Sequence, residues 1–142
     1  MTQMTDESTE MRSRDGAVEW RLPDGTLHRE EGPARIDPDG GEMWFDHGRL
    51  HRVGGPAVID GTGNEAWYQN NQLHREDGPA YTYENGAEHW YRYGQLHRIG
   101  GPAITRPDGS TWWYIDGRQV SQFEHDVVVR AHEKASKSTR PE

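Results

Sequence analysis

Histidine is the residue type of this sequence with the widest chemistry, because an imidazole can ligate a metal ion or transfer a proton. It recurs at 23-residue intervals, as His28, His51, His74 and His97. If each interval is one structural repeat of two strands, neighbouring members lie about 9–10 Å apart. A zinc ion holds its nitrogen ligands at about 2.0–2.1 Å, so His51, His74 and His97 are not expected to share an ion. We expect each imidazole to hydrogen-bond a neighbouring strand or turn, with no metal and no cofactor.

Acid–base catalysis is the second chemistry to consider, because Glu42, Glu65 and Glu88 follow the same interval. Their separation of about 9–10 Å is at or beyond the upper limit for the carboxylate pair of a glycosidase, about 5–9.5 Å, and the repeat predicts no substrate cleft. The sequence contains no glycine-rich phosphate loop and no nucleophile elbow. We therefore expect no catalytic residues and no enzyme. A hydrolase that uses His and Glu in a groove is kept as the least favoured alternative.

The interval itself is the strongest signal in the sequence. Leu-His-Arg begins at residues 27, 50, 73 and 96, and Gly-Pro-Ala follows each time. Four tryptophans keep the same period: Trp44, Trp67, Trp90 and Trp113. A fixed period of 20–50 residues indicates a repeat protein in which neighbouring units complete one another's core.

Each unit contains the signals of a β-hairpin. A short alternating segment carries Trp and Tyr, as strands do. A tight-turn dipeptide such as Asn70-Asn71 or Tyr93-Gly94 follows, and a second strand returns. Gly-Pro interrupts that strand, and Asp-Gly or Asn-Gly turns into the next unit. The sequence predicts an all-β fold, an antiparallel meander of tandem 23-residue hairpins in a single-layer curled sheet.

The two ends depart from the period. Residues 1–14 show no repeat and are expected to be a flexible tail, and residues 15–120 form the repeat domain. Residues 121–134 predict a C-terminal capping helix, because Ser121 and Glu124 form a capping-box pattern. Phe123, Val127 and Ala131 share one helical face, which is expected to cover the open end of the sheet. Residues 135–142 are expected to be disordered.

The repeated motif, quoted from Leu73 to Ala80 as Leu-His-Arg-Glu-Asp-Gly-Pro-Ala, resembles variant MORN-type repeats. The resemblance covers about residues 15–121. It implies a curled meander of hairpins used for protein–protein contact, an origin in a bacterium or phage, and no catalytic residues. The arginine of each Leu-His-Arg stands where many MORN units bend through glycine.

Strand alternation divides the repeated side chains between two faces. One face is expected to carry a structural ladder that combines the tryptophans with Leu50, Leu73 and Leu96. The other face carries the residues that follow each tryptophan and is the candidate contact surface. Its candidate partner-binding residues are Tyr68, Tyr81, Tyr83, Tyr91, Tyr93 and Tyr114.

Charge and hydropathy narrow the function further. The net charge of −8 disfavours nucleic acid as a partner. No apolar run approaches the ~18 residues of a membrane span, and a cytoplasmic location is expected. The favoured function is a non-enzymatic repeat scaffold that binds another protein, with self-association as a further expectation. A virion or assembly component and an acidic inhibitor of a host protein are the alternatives.

Overall fold

The structure is a computed structural model that describes residues 6–138, so the predicted tail residues 1–5 and 139–142 lie outside the described part. Its elements in chain order are β1 Thr9–Arg12, β2 Val18–Arg21, β3 Arg35–Ile36, β4 Glu42–Met43, β5 Phe45–Asp46, β6 Arg49–Leu50, β7 Val58–Ile59, β8 Glu65–Ala66, β9 Tyr68–Gln69, β10 Gln72–Leu73, β11 Tyr81–Thr82, β12 Glu88–His89, β13 Tyr91–Arg92, β14 Gln95–Leu96, β15 Ile104–Thr105, β16 Thr111–Ile115, β17 Arg118–Val120 and α1 Gln122–Ser138. No helix among the described residues is both long and apolar enough to cross a membrane.

Eleven strands form one open antiparallel sheet, in the order β1-β2-β3-β4-β7-β8-β11-β12-β15-β16-β17. The remaining strands form three two-stranded hairpins, β5–β6, β9–β10 and β13–β14. All pairings are between elements close in sequence, as in a meander. The prediction of an all-β hairpin meander followed by a C-terminal helix is confirmed.

Each unit passes from the large sheet into its hairpin at the repeated tryptophan. The backbone N–H of Trp44 donates to the carbonyl of Ala57 at 2.7 Å, within the large sheet. The carbonyl of Trp44 accepts from the N–H of His51 at 3.1 Å, within the hairpin. Trp67 and Trp90 make the equivalent bonds in the next two units. The tryptophan backbone is therefore the junction between the two parts of every unit.

The hairpin register corrects the predicted composition of the two faces. The two-residue turns place Phe45 opposite Leu50, Tyr68 opposite Leu73 and Tyr91 opposite Leu96. Side chains that lie directly opposite each other in an antiparallel pair share a face. The leucines therefore share a face with the Phe and Tyr side chains. The expectation that they share a face with the tryptophans is wrong.

The most deeply buried side chains are small. The alanine of each Gly-Pro-Ala, for example Ala57, Ala80 and Ala103, has no exposed surface. His74 and His97 are also buried, whereas Trp67 and Leu73 are only half-buried. The same alanines accept the backbone bond from the tryptophan of their unit, as where the Trp67 N–H donates to the Ala80 carbonyl at 2.6 Å. The core is therefore built from alanine and histidine, with the tryptophans around it.

Both ends extend further than the sequence indicates. Strand β1 lies inside the predicted flexible tail and pairs with β2 over four residues, although all its side chains are exposed. Its order comes from backbone hydrogen bonds, which leave no hydrophobic pattern in the sequence. Helix α1 continues to Ser138, beyond the predicted end at residue 134 and into the segment expected to be disordered.

Helix α1 begins at the predicted capping box but presents a different face to the sheet. The Ser121 hydroxyl accepts from the Glu124 N–H at 3.1 Å, and the Glu124 carboxylate accepts from the Ser121 N–H at 3.4 Å. Phe123 is 73% exposed and Val127 46% exposed, whereas His125 is buried. The expectation that Phe123 and Val127 cover the sheet is wrong, because His125 makes the docking contact.

Candidate functional site

The tryptophan and arginine of each unit form a stacked pair. The guanidinium carbon lies 3.8 Å from the ring centroid in four units, pairing Arg29 with Trp20, Arg52 with Trp44, Arg75 with Trp67 and Arg98 with Trp90. The guanidinium also donates to the proline carbonyl of its own Gly-Pro-Ala, at 3.0–3.3 Å. These contacts fix the arginine by stacking and by hydrogen bonding at once.

The glycine of Gly-Pro-Ala provides the space for this stack. A Cβ atom at Gly78 would lie 2.6 Å from the guanidinium carbon of Arg75, and one at Gly55 would lie 2.7 Å from that of Arg52. Such distances are too short for non-bonded atoms, so any larger residue would displace the guanidinium from the tryptophan. The repeated Trp, Arg and Gly therefore form one structural unit.

The repeated histidines tie each unit to the next. The Nδ1 atom of His74 accepts the backbone N–H of Tyr93 at 2.9 Å, and that of His97 accepts the N–H of Asp116 at 2.9 Å. His28 and His51 make the equivalent bonds to the turns of the following hairpins, at 2.9 and 3.3 Å. Because Nδ1 accepts, the proton of the neutral ring is on Nε2. In His74 that nitrogen lies 2.9 Å from the Glu76 carboxylate.

The last tryptophan has no arginine partner and is covered by the helix. Ser121 occupies the position that the arginine has in the other units. The His125 ring packs on Trp113 at 4.6 Å between centroids, and its Nε2–H donates a hydrogen bond to the Arg98 carbonyl at 2.8 Å. His125 therefore replaces the missing arginine, a role that the helical periodicity did not reveal.

Strand parity places five of the six candidate tyrosines on one side of the array, where Tyr81 and Tyr114 belong to the large sheet and Tyr68 and Tyr91 to the hairpins. Register partners across five strand pairs form a single row: Val58, Ala66, Tyr81, His89, Ile104 and Trp112. Residues two positions along a strand share its face, which adds Tyr68, Tyr83, Tyr91 and Tyr114. Tyr81 and Tyr83 are 4.5 Å apart between centroids, and His89 lies 5.0 Å from Tyr83 and 6.4 Å from Tyr91. We call Tyr68, Tyr81, Tyr83, Tyr91 and Tyr114 the aromatic face.

The hydroxyl groups of the aromatic face lie in a partly desolvated environment. Burial raises the pKa of Tyr91, and the neighbouring Tyr83, Tyr68 and Tyr114 raise it further. Burial likewise raises the pKa of Tyr81, with Tyr83 and Asp60 adding to the effect. These phenols therefore stay neutral at physiological pH and offer O–H donors over a large apolar area.

Tyr93 lies apart from the aromatic face. It occupies a hairpin turn with a φ of 48° and packs on His74 at 4.2 Å between centroids. It is the most exposed of the six candidate tyrosines, at 61%, compared with 37% for Tyr83. The turn at Tyr93-Gly94 agrees with the turn dipeptide in the sequence, and it separates Tyr93 from the other candidate tyrosines.

One cluster of potential metal ligands was not anticipated. His28, Asp46 and His47 bring one ligand atom each to within 4.8 Å of the others. The Nδ1 atom of His28 already accepts the His47 N–H at 2.9 Å, and its lone pair is therefore not free for an ion. Binding of an ion through this atom would break a hydrogen bond that the other three repeated histidines also make.

The burial of His97 predicts a loss of stability in mild acid. Burial lowers the pKa of His97 below its usual 6.5, and Arg92 lowers it further. The unfolded chain then binds a proton more readily than the folded one, so stability is complete above about pH 6.5 and falls as the pH drops below it. We expect lower urea midpoints at pH 5 than at pH 7.5, and an NMR titration of His97 with a midpoint below 6.5.

A matched variant separates His97 from the other titrating groups. Burial also lowers the pKa of His89, so His97→Gln should remove only part of the decline. The carboxyl groups of Asp15 and Asp60 have lowered pKa values through hydrogen bonds, chiefly from Ser13 and Thr62. Their contribution is lost only below about pH 4, a separate step. A His97 midpoint at or above 6.5 would contradict the prediction.

A scan of the sequence against models of known protein families finds no match, and a search of curated proteins finds none. The repeated histidines hold turns and the arginines of Leu-His-Arg cover tryptophans, whereas the tyrosines of the aromatic face contact one another and His89. That face is the candidate functional site.

Proposed function

We propose that this protein is a non-enzymatic repeat scaffold that binds another protein through its aromatic face. The observation that carries the proposal is the row of register partners that runs from Val58 to Trp112 and adjoins the tyrosines. Tyrosine provides a large and rigid contact area at a low cost in side-chain entropy, and it is frequent at interface hot spots. The histidine and the arginine of each Leu-His-Arg already have structural partners within the array.

The wider context of the proposal comes from the repeat motif. Leu73 to Ala80 resembles a variant MORN-type repeat, and the confirmed hairpin meander is consistent with that kinship. The proposed setting is a MORN-like protein of a bacterium or phage that acts in the cytoplasm. Protein–protein contact is the function that this kinship favours over catalysis.

The spacing of the aromatic face defines the class of partner. Tyr68, Tyr91 and Tyr114 repeat once per unit, about 9–10 Å apart. Asp60 raises the pKa of Tyr81 and Arg106 lowers the pKa of His89, so charged groups of both signs lie near the row. An elongated protein segment that presents apolar groups at a regular interval fits such a surface. A polar rim around an apolar centre is also the usual anatomy of a protein interface.

The test compares capture by the wild type and by Tyr68→Ser/Tyr91→Ser. Both proteins are coupled to beads, exposed to extract from the source cells, and analysed by quantitative mass spectrometry. We expect the double variant to lose at least about tenfold of the partner that the wild type captures, since one hot-spot side chain commonly contributes more than tenfold in affinity. Hydroxyl-radical footprinting of the complex should show protection of Tyr83.

The control is Glu65→Ser/Glu88→Ser, which changes the opposite face of strands β8 and β12. It should capture the partner as well as the wild type does. Melting temperatures of all three proteins establish that the fold is intact. Equal capture by the wild type and the tyrosine variant would refute the aromatic face as the contact surface.

A further inference from the structure

Strand β1 is an open edge of the large sheet. It is first in the strand order, and among the described residues only β2 pairs with it. All four of its side chains are exposed, with Met11 at 42%. An edge strand of this kind presents unpaired backbone donors and acceptors to another strand. The opposite end of the sheet is different, because helix α1 packs against β16 there.

The outward-facing backbone groups of β1 belong to Glu10 and Arg12. In an antiparallel ladder, hydrogen-bonded and non-bonded pairs alternate. The Ser13 N–H donates to the Ala17 carbonyl at 2.9 Å, so the next pair, Arg12 with Val18, is non-bonded. The Trp20 N–H donates to Ala34 on the far side of β2, which makes Glu10 with Trp20 non-bonded as well.

The charges of β1 are self-complementary in one register. If a second β1 runs antiparallel with Met11 opposite Met11, each Glu10 lies opposite the Arg12 of the other copy. Both of these pairs are then hydrogen-bonded pairs, because they use the outward-facing groups. Neither Glu10 nor Arg12 makes an ion pair or side-chain hydrogen bond with another described residue, so both are available for such a contact.

We propose that this edge pairs with the same edge of a second copy of the chain, forming a two-fold symmetric dimer with one continuous sheet. A shift of the second strand by two residues still brings outward-facing backbone groups together, but it places Glu10 opposite Glu10 or Arg12 opposite Arg12. Like charges directly opposite each other oppose pairing. Backbone parity therefore allows several registers, and charge selects the one with Met11 opposite Met11. An unrelated extended peptide would satisfy the backbone but not the charge pattern.

The proposed dimer goes beyond the partner contact of the aromatic face and has a defined geometry. Met11 shares the face of Glu19, Arg35 and Met43 in consecutive register pairs, and that row continues into the aromatic face. Opposed Met11 side chains lie on one face, so both aromatic faces of the dimer point to the same side of the sheet. The contact is short and belongs with weak, concentration-dependent associations.

The test is sedimentation equilibrium of the full chain over a concentration series up to about 1 mM, the range that suits weak association. Wild type is expected to show a monomer–dimer equilibrium. Glu10→Lys and Arg12→Glu should each weaken the dimer by about tenfold, because each creates two like-charged pairs. The double variant Glu10→Lys/Arg12→Glu restores opposite charges and should return the dissociation constant to within about threefold of wild type.

A second variant tests the backbone contact directly. Arg12→Pro removes an outward N–H that β2 does not use, so it should abolish the dimer and leave the melting temperature unchanged. A monomeric wild type across the series, or a dimer unaffected by Arg12→Pro, would overturn the proposal. A double charge variant no better than the single ones would overturn it too, and would indicate another contact, such as the exposed Phe123 and Val127 of helix α1.

Discussion

Replacing Trp67 with alanine is expected to lower the free energy of unfolding by about 3 kcal/mol, and the melting temperature by about 10 °C. The indole is half-buried and supports the guanidinium of Arg75 at 3.8 Å. Its loss leaves that charge without the stack, beside the space that Gly78 keeps open. The damage should reach the whole array, because neighbouring units of a short repeat protein stabilise one another.

Two variants at the same stack separate the ring from the charge. Trp67→Phe retains an aromatic face for Arg75 and should cost about 1 kcal/mol. Arg75→Ala retains the indole and should cost a similar amount, since the stacked cation and its bond to the Pro79 carbonyl are both lost. Thermal melts followed by near-ultraviolet circular dichroism give all three values. A Trp67→Ala protein that melts with the wild type would show that the stack contributes nothing.

His74→Ala is expected to cost about 2–3 kcal/mol, the second largest loss. The substitution leaves the N–H of Tyr93 without an acceptor in a turn held at a φ of 48°. It also opens a cavity where a ring that is only 4% exposed had been packed. The lost hydrogen bond, which is partly buried, contributes about 0.5–1.5 kcal/mol, and the lost packing of the buried ring adds to it.

The sequence supplies a matched control in the preceding unit. His51 occupies the same repeat position, but it is half-buried and its bond to the Asn70 N–H is longer, at 3.3 Å. His51→Ala should therefore cost about 1 kcal/mol or less. Urea unfolding of the two variants side by side provides the comparison. Equal losses at both positions would mean that burial and bond length do not govern the contribution of the repeated histidine.

The period predicted the hairpins and the meander. The turn dipeptides could also have predicted which face of the hairpin carries the leucines. These dipeptides fix a two-residue loop, and such a loop places Phe45 opposite Leu50. The expectation that leucine packs with tryptophan came from matching residue types instead of counting register. Strand parity holds for five of the six candidate tyrosines and fails for Tyr93, which lies in a turn.

The helix face could not be predicted from periodicity. Phe123, Val127 and Ala131 form the more apolar stripe, yet the docking face is chosen by what the end of the sheet offers. That end offers the uncovered ring of Trp113 and the free carbonyl of Arg98, and His125 satisfies both. Similarly, no local pattern announces β1, since its four exposed residues contribute backbone bonds and no buried surface.

The bonds between units have a consequence for the dimensions of the molecule. Each histidine reaches a turn 19 residues further along the chain, so a unit is tied to its immediate successor and to no later one. The length of the array is therefore set by the number of units, at two strand spacings or about 9–10 Å per unit. Gain or loss of one whole unit would lengthen or shorten the aromatic face by that amount, while β1 and helix α1 would keep their own contacts at the two ends.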